Sequence, residues 1–300
     1  MKVKNQKINL VTSSVELFIK REDLIHPFIS GNKYRKLKYN LLYVKENNFD
    51  TIITFGGAYS NHIAATAFAG KENGLKTIGI IRGEELADDL DTNPTLKFAK
   101  ECGMTFEFVS REAYRLKETD FFLKQLYQKY PKAYILPEGG TNDLAVKGCS
   151  EILTKEDDYF DFVCCSVGTG GTISGIINSV MPHQKVLAFP SLKGDFITKD
   201  ISKFAKNNNW DVISDYHFGG YGKVTDELIC FINQFYKDFK IPLDPIYTGK
   251  MVFGVIDLIS KNYFPDNSKI ILIHTGGLQG IEGMNLKLKS KNLPQIDLND

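Results

Sequence analysis

Three hundred residues, 43% of them hydrophobic and 24% charged, suffice for one large globular core or two modest ones. A formal net charge of +1 gives no global attraction to nucleic acid or to an anionic membrane, so any anion must be held locally and the expected partner is small. Five cysteines lack metal-ligand spacing, and Cys164 and Cys165 sit side by side in an apolar run, which predicts reduced, buried thiols and neither a metal site nor a disulfide framework.

From the N-terminus, MKVKNQKINL lacks the apolar centre of a signal peptide, and no later run nears the ~18 apolar residues of a membrane span, so a cytoplasmic location is expected. SGNKYRKL (30–37) opens a helix whose apolar positions Leu37, Leu41 and Val44 recur at helical spacing. Lys33 falls in its first turn, where the helix dipole opposes a cation and lowers the pKa toward a nucleophilic amine able to form an imine with an aldehyde. The alternative is that Lys33, Arg35, Lys36 and Lys38 simply solvate a helix face, and Arg35, Lys36 and Lys38 are expected to do so.

An apolar strand at 51–57 then runs into FGGAYSNHIAATA (55–67), where two glycines and a Ser-Asn-His helix start leave free backbone N–H groups beside polar side chains. This suits a carboxylate; a plain capped turn is the alternative. Strand-like runs at 76–83, 104–110 and 133–140 follow, with a helix predicted from Pro94 to Glu101 behind the capping residues Thr92 and Asn93. The acidic stretch TKEDDYFD (154–161) is the expected lobe boundary, with a second crossing near 40–50.

A second series has strands at 161–169, 185–191, 210–217 and 269–277 and a helix at 224–239, the alternation of a parallel sheet. Within it, SVGTGGTISG (166–175) lets backbone approach a phosphate. No lysine follows as in a Walker loop, and Gly168, Gly170, Gly171 and Gly175 break the dinucleotide register, which disfavours ATP and NAD. Glycine and hydroxyl clusters follow strands at 56–61, 139–142, 168–172 and 275–277, the carboxyl ends where open parallel sheets bind ligands, so one composite site is expected. The loops FGGYGK (218–223) and DPIYTGKM (244–251) each present a tyrosine, although nothing in their physics singles out Tyr221 and Tyr247 among 14.

In this order, KREDL (20–24), SGNKYRKL, GGAYSNH, EGGTN (138–142), the glycine loop, FGGYG, DPIYTGK and HTGG (274–277) resemble the D-cysteine desulfhydrase and 1-aminocyclopropane-1-carboxylate deaminase family, over about residues 17–283. The resemblance implies an α/β, two-lobed fold of the tryptophan-synthase-β type (fold type II) with open, mostly parallel twisted sheets. It also implies a larger pyridoxal-phosphate lobe of residues 1–45 and 155–300 and a smaller mobile lobe of 46–154. On that basis Lys33 matches the lysine that holds pyridoxal 5'-phosphate and serves as base, and Asn61 the partner of the cofactor 3′-oxygen. Gly168, Thr169, Gly170, Gly171 and Thr172 match the phosphate cradle, Ser60, Asn61 and His62 the substrate site, and Tyr221 and Tyr247 the active-site tyrosine pair, with Ser60 implied as a catalytic proton relay as well.

Thr248 and Thr275 match the desulfhydrase-like state at two cofactor-side positions. A hydroxyl near the pyridine nitrogen does not fix its charge as a carboxylate would, which favours β-elimination from D-cysteine or a β-substituted analogue to pyruvate, ammonia and sulfide. The alternatives are 1-aminocyclopropane-1-carboxylate deamination, a racemase or dehydratase, and a non-catalytic metabolite-binding protein. The expected partners are a small amino-acid substrate and a second copy in a homodimer, with no nucleic acid, membrane or metal.

Overall fold

The computed structural model describes residues 3–10, 13–88, 90–194 and 196–299. Its strands in chain order are β1 (Asn5–Ile8), β2 (Glu16–Lys20), β3 (Thr51–Gly56), β4 (Lys76–Arg82), β5 (Thr105–Val109), β6 (Ala133–Leu136), β7 (Phe162–Val167), β8 (Lys185–Pro190), β9 (Trp210–Val212) and β10 (Lys269–Ile273). The helices are α1 (Asn32–Glu46), α2 (Asn61–Asn73), α3 (Pro94–Glu101), α4 (Arg111–Arg115), α5 (Asp120–Lys129), α6 (Asp143–Cys149), α7 (Gly171–Ile177), α8 (Phe196–Ser202), α9 (Asp226–Phe239), α10 (Thr248–Ser260) and α11 (Gly280–Lys289).

Two sheets result, one of six strands in the order β1-β2-β10-β7-β8-β9 and one of four in the order β5-β4-β3-β6. Every neighbouring pair is parallel except β1 with β2. The central strands are buried along almost their whole length, β3 at every residue and β7 from Val163 onward, as parallel strands covered on both faces must be. One face of the six-stranded sheet packs Leu187, Phe189 and Leu272 against α9 and α10 through Ile232, Val252 and Val255. The other packs Val163, Val186 and Ile271 against α7 and α8. Among the described residues no helix is long and apolar enough to cross a membrane.

Local chemistry explains most boundaries. Asn93 caps α3 by accepting from the N–H groups of Thr95 and Leu96, with Pro94 in the first turn, as its sequence predicts. The strand expected over 210–217 pairs only as far as Val212; beyond it the chain leaves the sheet edge for the glycine-rich 217–223 loop. Strands β1 and β2 escape the sequence reading because each is short and carries charged residues.

Those charges prove structural. In KREDL, Lys20 pairs with Asp157 at 2.8 Å, Arg21 with Asp23 at 2.8 Å and Glu22 with Arg35 at 2.8 Å, all six side chains buried. Asp157 also accepts from the N–H of Thr154, so the acidic stretch at 154–161 is anchored inward, and Phe160 within it is fully buried. The expectation that Arg35 and Lys36 solvate a helix face is therefore corrected; of that run only Lys38 is exposed. Burying these side chains is tolerated because each finds a partner, an arrangement that periodicity cannot reveal.

Candidate active site

The start of α1 is seated on the turn after β10. Gly31 adopts φ 59°, and a Cβ there would overlap the carbonyl of Thr275, while the N–H of Asn32 donates to that same Thr275 oxygen at 3.2 Å. Only glycine allows so close an approach. This contact aims the first turn of α1 at the end of β6, where Lys33 Nζ lies 3.3 Å from the Gly139 carbonyl oxygen. Desolvation first, and the neighbouring Lys36 charge second, push the Lys33 amine well below the ordinary lysine range. An amine so shifted is available as a neutral nucleophile and base.

Lys36, one turn along, is 2% exposed and points into the same region. Its Nζ donates to Gly139 O at 2.9 Å and Thr141 Oγ1 at 2.9 Å and approaches Thr169 Oγ1 at 3.4 Å, with no carboxylate partner. Burial lowers its pKa to about 8. Thr141 and Thr169 hydroxyls are 2.6 Å apart, and Asn32 Nδ2 donates to Thr172 Oγ1 at 2.8 Å, so EGGTN, the loop Gly168–Thr172 and α1 close on one small volume. A buried ammonium that meets only hydroxyls and a carbonyl, beside glycines that expose backbone, fits a phosphate group. Pyridoxal phosphate is thus matched at both ends, an amine for the aldehyde and a cradle for the phosphate. Lys36 is the functional residue that sequence reasoning missed; its spacing of three from Lys33 put it on the same helix face.

The six-stranded sheet supplies the wall opposite. Tyr247 packs against Gly168, where a Cβ would stand 3.1 Å from the phenol oxygen. Tyr221 packs edge-on to Tyr247 with centroids 6.2 Å apart. Desolvation raises both phenols, that of Tyr247 well above its usual value, so both keep their protons. Lys250, buried in the first turn of α10, holds the Tyr221 loop by donating to His217 O and Gly220 O, each at 2.9 Å.

Thr248 and Thr275 separate here. The Thr248 hydroxyl donates to Asp244 Oδ1 at 2.7 Å and accepts from the Asp244 N–H at 2.9 Å, so it shapes the turn that starts α10 and has little capacity left for a cofactor. Asp244 is itself engaged by the N–H groups of Ile246, Tyr247 and Thr248. Thr275 pairs instead with Ser166 Oγ at 3.3 Å, a hydroxyl couple at the carboxyl ends of β10 and β7.

The four-stranded sheet contributes Ser60, Asn61 and His62 at the start of α2. Ser60 caps the helix, its Oγ accepting from the Ile63 N–H at 3.3 Å. Asn61 reaches across to the other sheet: its Oδ1 accepts from Gln279 Nε2 at 2.6 Å, and its amide nitrogen would meet a Cβ on Gly277 at 2.6 Å. His62 is 1% exposed and turned toward β3. The Thr54 hydroxyl donates to Leu136 O at 2.9 Å, so His62 Nε2, 2.8 Å from that hydroxyl, must carry the ring hydrogen. Nδ1 is then a lone pair without a partner beside Gly140. Burial, followed by the Lys33 and Lys36 charges, holds the ring neutral by pushing its pKa well down. Such a ring has no hydrogen to offer a substrate carboxylate, and the role expected of His62 is corrected to a wall beneath Gly140.

Comparison with known proteins shows the family and the fold. A family model described as pyridoxal-phosphate dependent enzyme matches residues 7–276. A putative 1-aminocyclopropane-1-carboxylate deaminase of Pyrococcus horikoshii is 32% identical over 284 residues, 88% of this chain and 85% of the relative. The bifunctional D-cysteine desulfhydrase/1-aminocyclopropane-1-carboxylate deaminase, mitochondrial, of Arabidopsis thaliana is 32% identical over 298 residues, 90% of this chain and 74% of the relative. The crystal structure of an ACC deaminase homologue superposes with a TM-score of 0.84 at 27% identity, covering 97% of this chain and 94% of that one. A hydrogen sulfide-producing enzyme of Fusobacterium nucleatum shares the fold, with a TM-score of 0.67 at 17% identity over 92% of this chain and 96% of that one.

Proposed function

We propose, from the premise that this chain belongs to the pyridoxal-phosphate dependent enzymes and within them to the D-cysteine desulfhydrase and 1-aminocyclopropane-1-carboxylate deaminase family, that its reaction is β-elimination from D-cysteine or a β-substituted analogue. The observation that carries this reading is the convergence of Lys33 and Lys36 on Gly139 O, one amine placed for chemistry and the other for phosphate. The bound cofactor supplies the electron sink for the charge left at Cα.

The chain's own groups do the rest. Lys33, its pKa pushed well below the ordinary lysine range by burial, takes the Cα proton at Nζ. Ser60 and the start of α2 would orient the substrate carboxylate, Asn61 would hold the cofactor 3′-oxygen, and Lys36 with Gly168–Thr172 would hold the phosphate. Tyr247 and Tyr221, still protonated, present hydroxyls that donate hydrogen bonds to a departing thiolate. The Ser166–Thr275 couple would offer the pyridine nitrogen neutral partners, which favours elimination from a good leaving group over opening of a cyclopropane. Water then completes the release of pyruvate and ammonia.

The same reading includes a larger lobe of 1–45 and 155–300, a smaller closing lobe of 46–154, a homodimer and a cytoplasmic location. All strands of the four-stranded sheet lie between Thr51 and Leu136, which supports the division into lobes.

The test is an absorbance spectrum of the purified protein before and after D-cysteine, with sulfide and pyruvate assayed in the same tube. A band near ~420 nm that changes on addition, with sulfide released, is expected. A band without sulfide discards the desulfhydrase reading. The names of the Pyrococcus and Arabidopsis relatives favour 1-aminocyclopropane-1-carboxylate as the second substrate to try, with ammonia and 2-oxobutanoate as products. Retention of the visible band in Lys33→Ala would overturn the assignment of Lys33.

A further inference from the structure

The mouth of the cleft carries cations that the reaction as described does not use. Arg82 ends β4 and is exposed; its Nη2 would stand 3.7 Å from a Cβ on Gly57, in the loop that leads to Ser60. Its guanidinium lies 5.8 Å from the Tyr114 ring centroid. Among the described residues it forms no hydrogen bond or ion pair.

Two acidic neighbours on the same wall are engaged, while Glu84, two residues along the chain, is exposed and forms no ion pair among the described residues. Glu138 accepts from the Tyr114 hydroxyl at 2.8 Å and pairs with Lys117 at 3.1 Å, and Glu85 pairs with Arg111. On the facing wall Lys193 and Lys223 flank the Tyr221 loop, Lys193 against Gly220 and Lys223 against Gly219; both are exposed and neither forms an ion pair among the described residues. In a chain of formal net charge +1, three unpaired cations around one opening are a local concentration of positive charge.

The substrate's α-carboxylate already has Ser60 and the start of α2, and the cofactor phosphate has Lys36. We propose that Arg82 recognises a second anionic group on the substrate, so that the preferred substrates are amino acids bearing a carboxylate, sulfonate or phosphate beyond Cβ, drawn in by the field of Lys193 and Lys223. This rests on the β-elimination reading and narrows it: the Cα–H and Cβ–X bonds break, X departs as an anion, and one water converts the remainder to pyruvate and ammonium. A guanidinium is the side chain suited to such a group, because its planar fork matches carboxylate, sulfonate and phosphate oxygens.

Aspartate and asparagine, of equal shape and different charge, isolate the effect. Isothermal titration calorimetry of the cofactor-loaded protein with each enantiomer of both should show aspartate binding about tenfold tighter than asparagine. In Arg82→Gln, and in wild type at about 0.5 M salt, that ratio should collapse to within about twofold. Equal binding of the two, no binding of either, or a preference that survives Arg82→Gln overturns the proposal. Sulfide release from D-cysteine by the same preparation reports separately on the β-elimination reading, so the two can fail independently.

Discussion

At the carboxyl end of β10 the chain turns through glycines packed backbone against backbone, with Gly31 on Thr275 and Gly276 on Ser30. At the carboxyl ends of β3 and β4 it turns through Ser60, Asn61 and Arg82, whose side chains face the cleft or cross it. The first wall tolerates no added atom and fixes where the amine and the phosphate cradle sit. The second is built from replaceable polar groups and suits a substrate that comes and goes. Substitutions on the first wall should therefore cost the fold and cofactor together, and those on the second should change selectivity with small changes in stability.

The largest expected effect is Gly31→Ala, whose methyl overlaps the Thr275 carbonyl at φ 59°. We expect a loss of at least about 4 kcal/mol and of the visible cofactor band, measured by chemical denaturation and absorbance. Gly74→Ala, at φ 65° with nothing within 4 Å of the new methyl, should cost only about 1 kcal/mol, separating backbone strain from overlap.

Next is Lys36→Met. Cofactor affinity should fall about a hundredfold in equilibrium dialysis, because a charge-assisted contact to phosphate is lost. The cofactor-free variant should nevertheless be more stable than wild type by about 2 kcal/mol at pH 7. The amine's folded-state pKa, about 8, lies below the ordinary lysine value of 10.5, so the unfolded chain binds the extra proton between those values. The penalty is full below pH 8 and disappears as pH rises to 10.5, and the advantage of the variant should disappear over that window.

His62 should act at the acid end. Its folded pKa lies below the ordinary 6.5, so wild-type stability falls as pH drops through and below that value. The limiting slope from this one group is ~1.4 kcal/mol per pH unit, and denaturation of His62→Gln across the acid range should lack it. The smallest effect is expected for Ser60→Ala, a loss of about 1 kcal/mol from the α2 cap together with a raised KM and little change in kcat.

Much of this arrangement is legible in the residues alone. Strands running into glycine clusters mark the carboxyl edges of the sheets, and Lys33 stands out as a lysine in the first turn of a helix. What escapes the sequence depends on partners far along the chain. Lys36 looks like a solvated neighbour of Lys33 until Thr141 and Thr169 arrive from more than a hundred residues away. KREDL reads as polar until Asp157 and Arg35 complete its ion pairs. Thr248 looks like a cofactor contact because the carboxylate that engages it, Asp244, lies four residues back in a turn whose shape periodicity does not predict. The hydrogen position on His62 follows from Leu136, a residue on another strand.

The seat of α1 on residues 274–277 also bears on the order of events during synthesis. The helix bearing Lys33 is translated before either sheet is complete, whereas the backbone that fixes its first turn follows β10. A nascent chain can complete the four-stranded sheet, whose last strand ends at Leu136, long before Thr275 exists. The first turn of α1 therefore takes its final seat only once translation has passed β10.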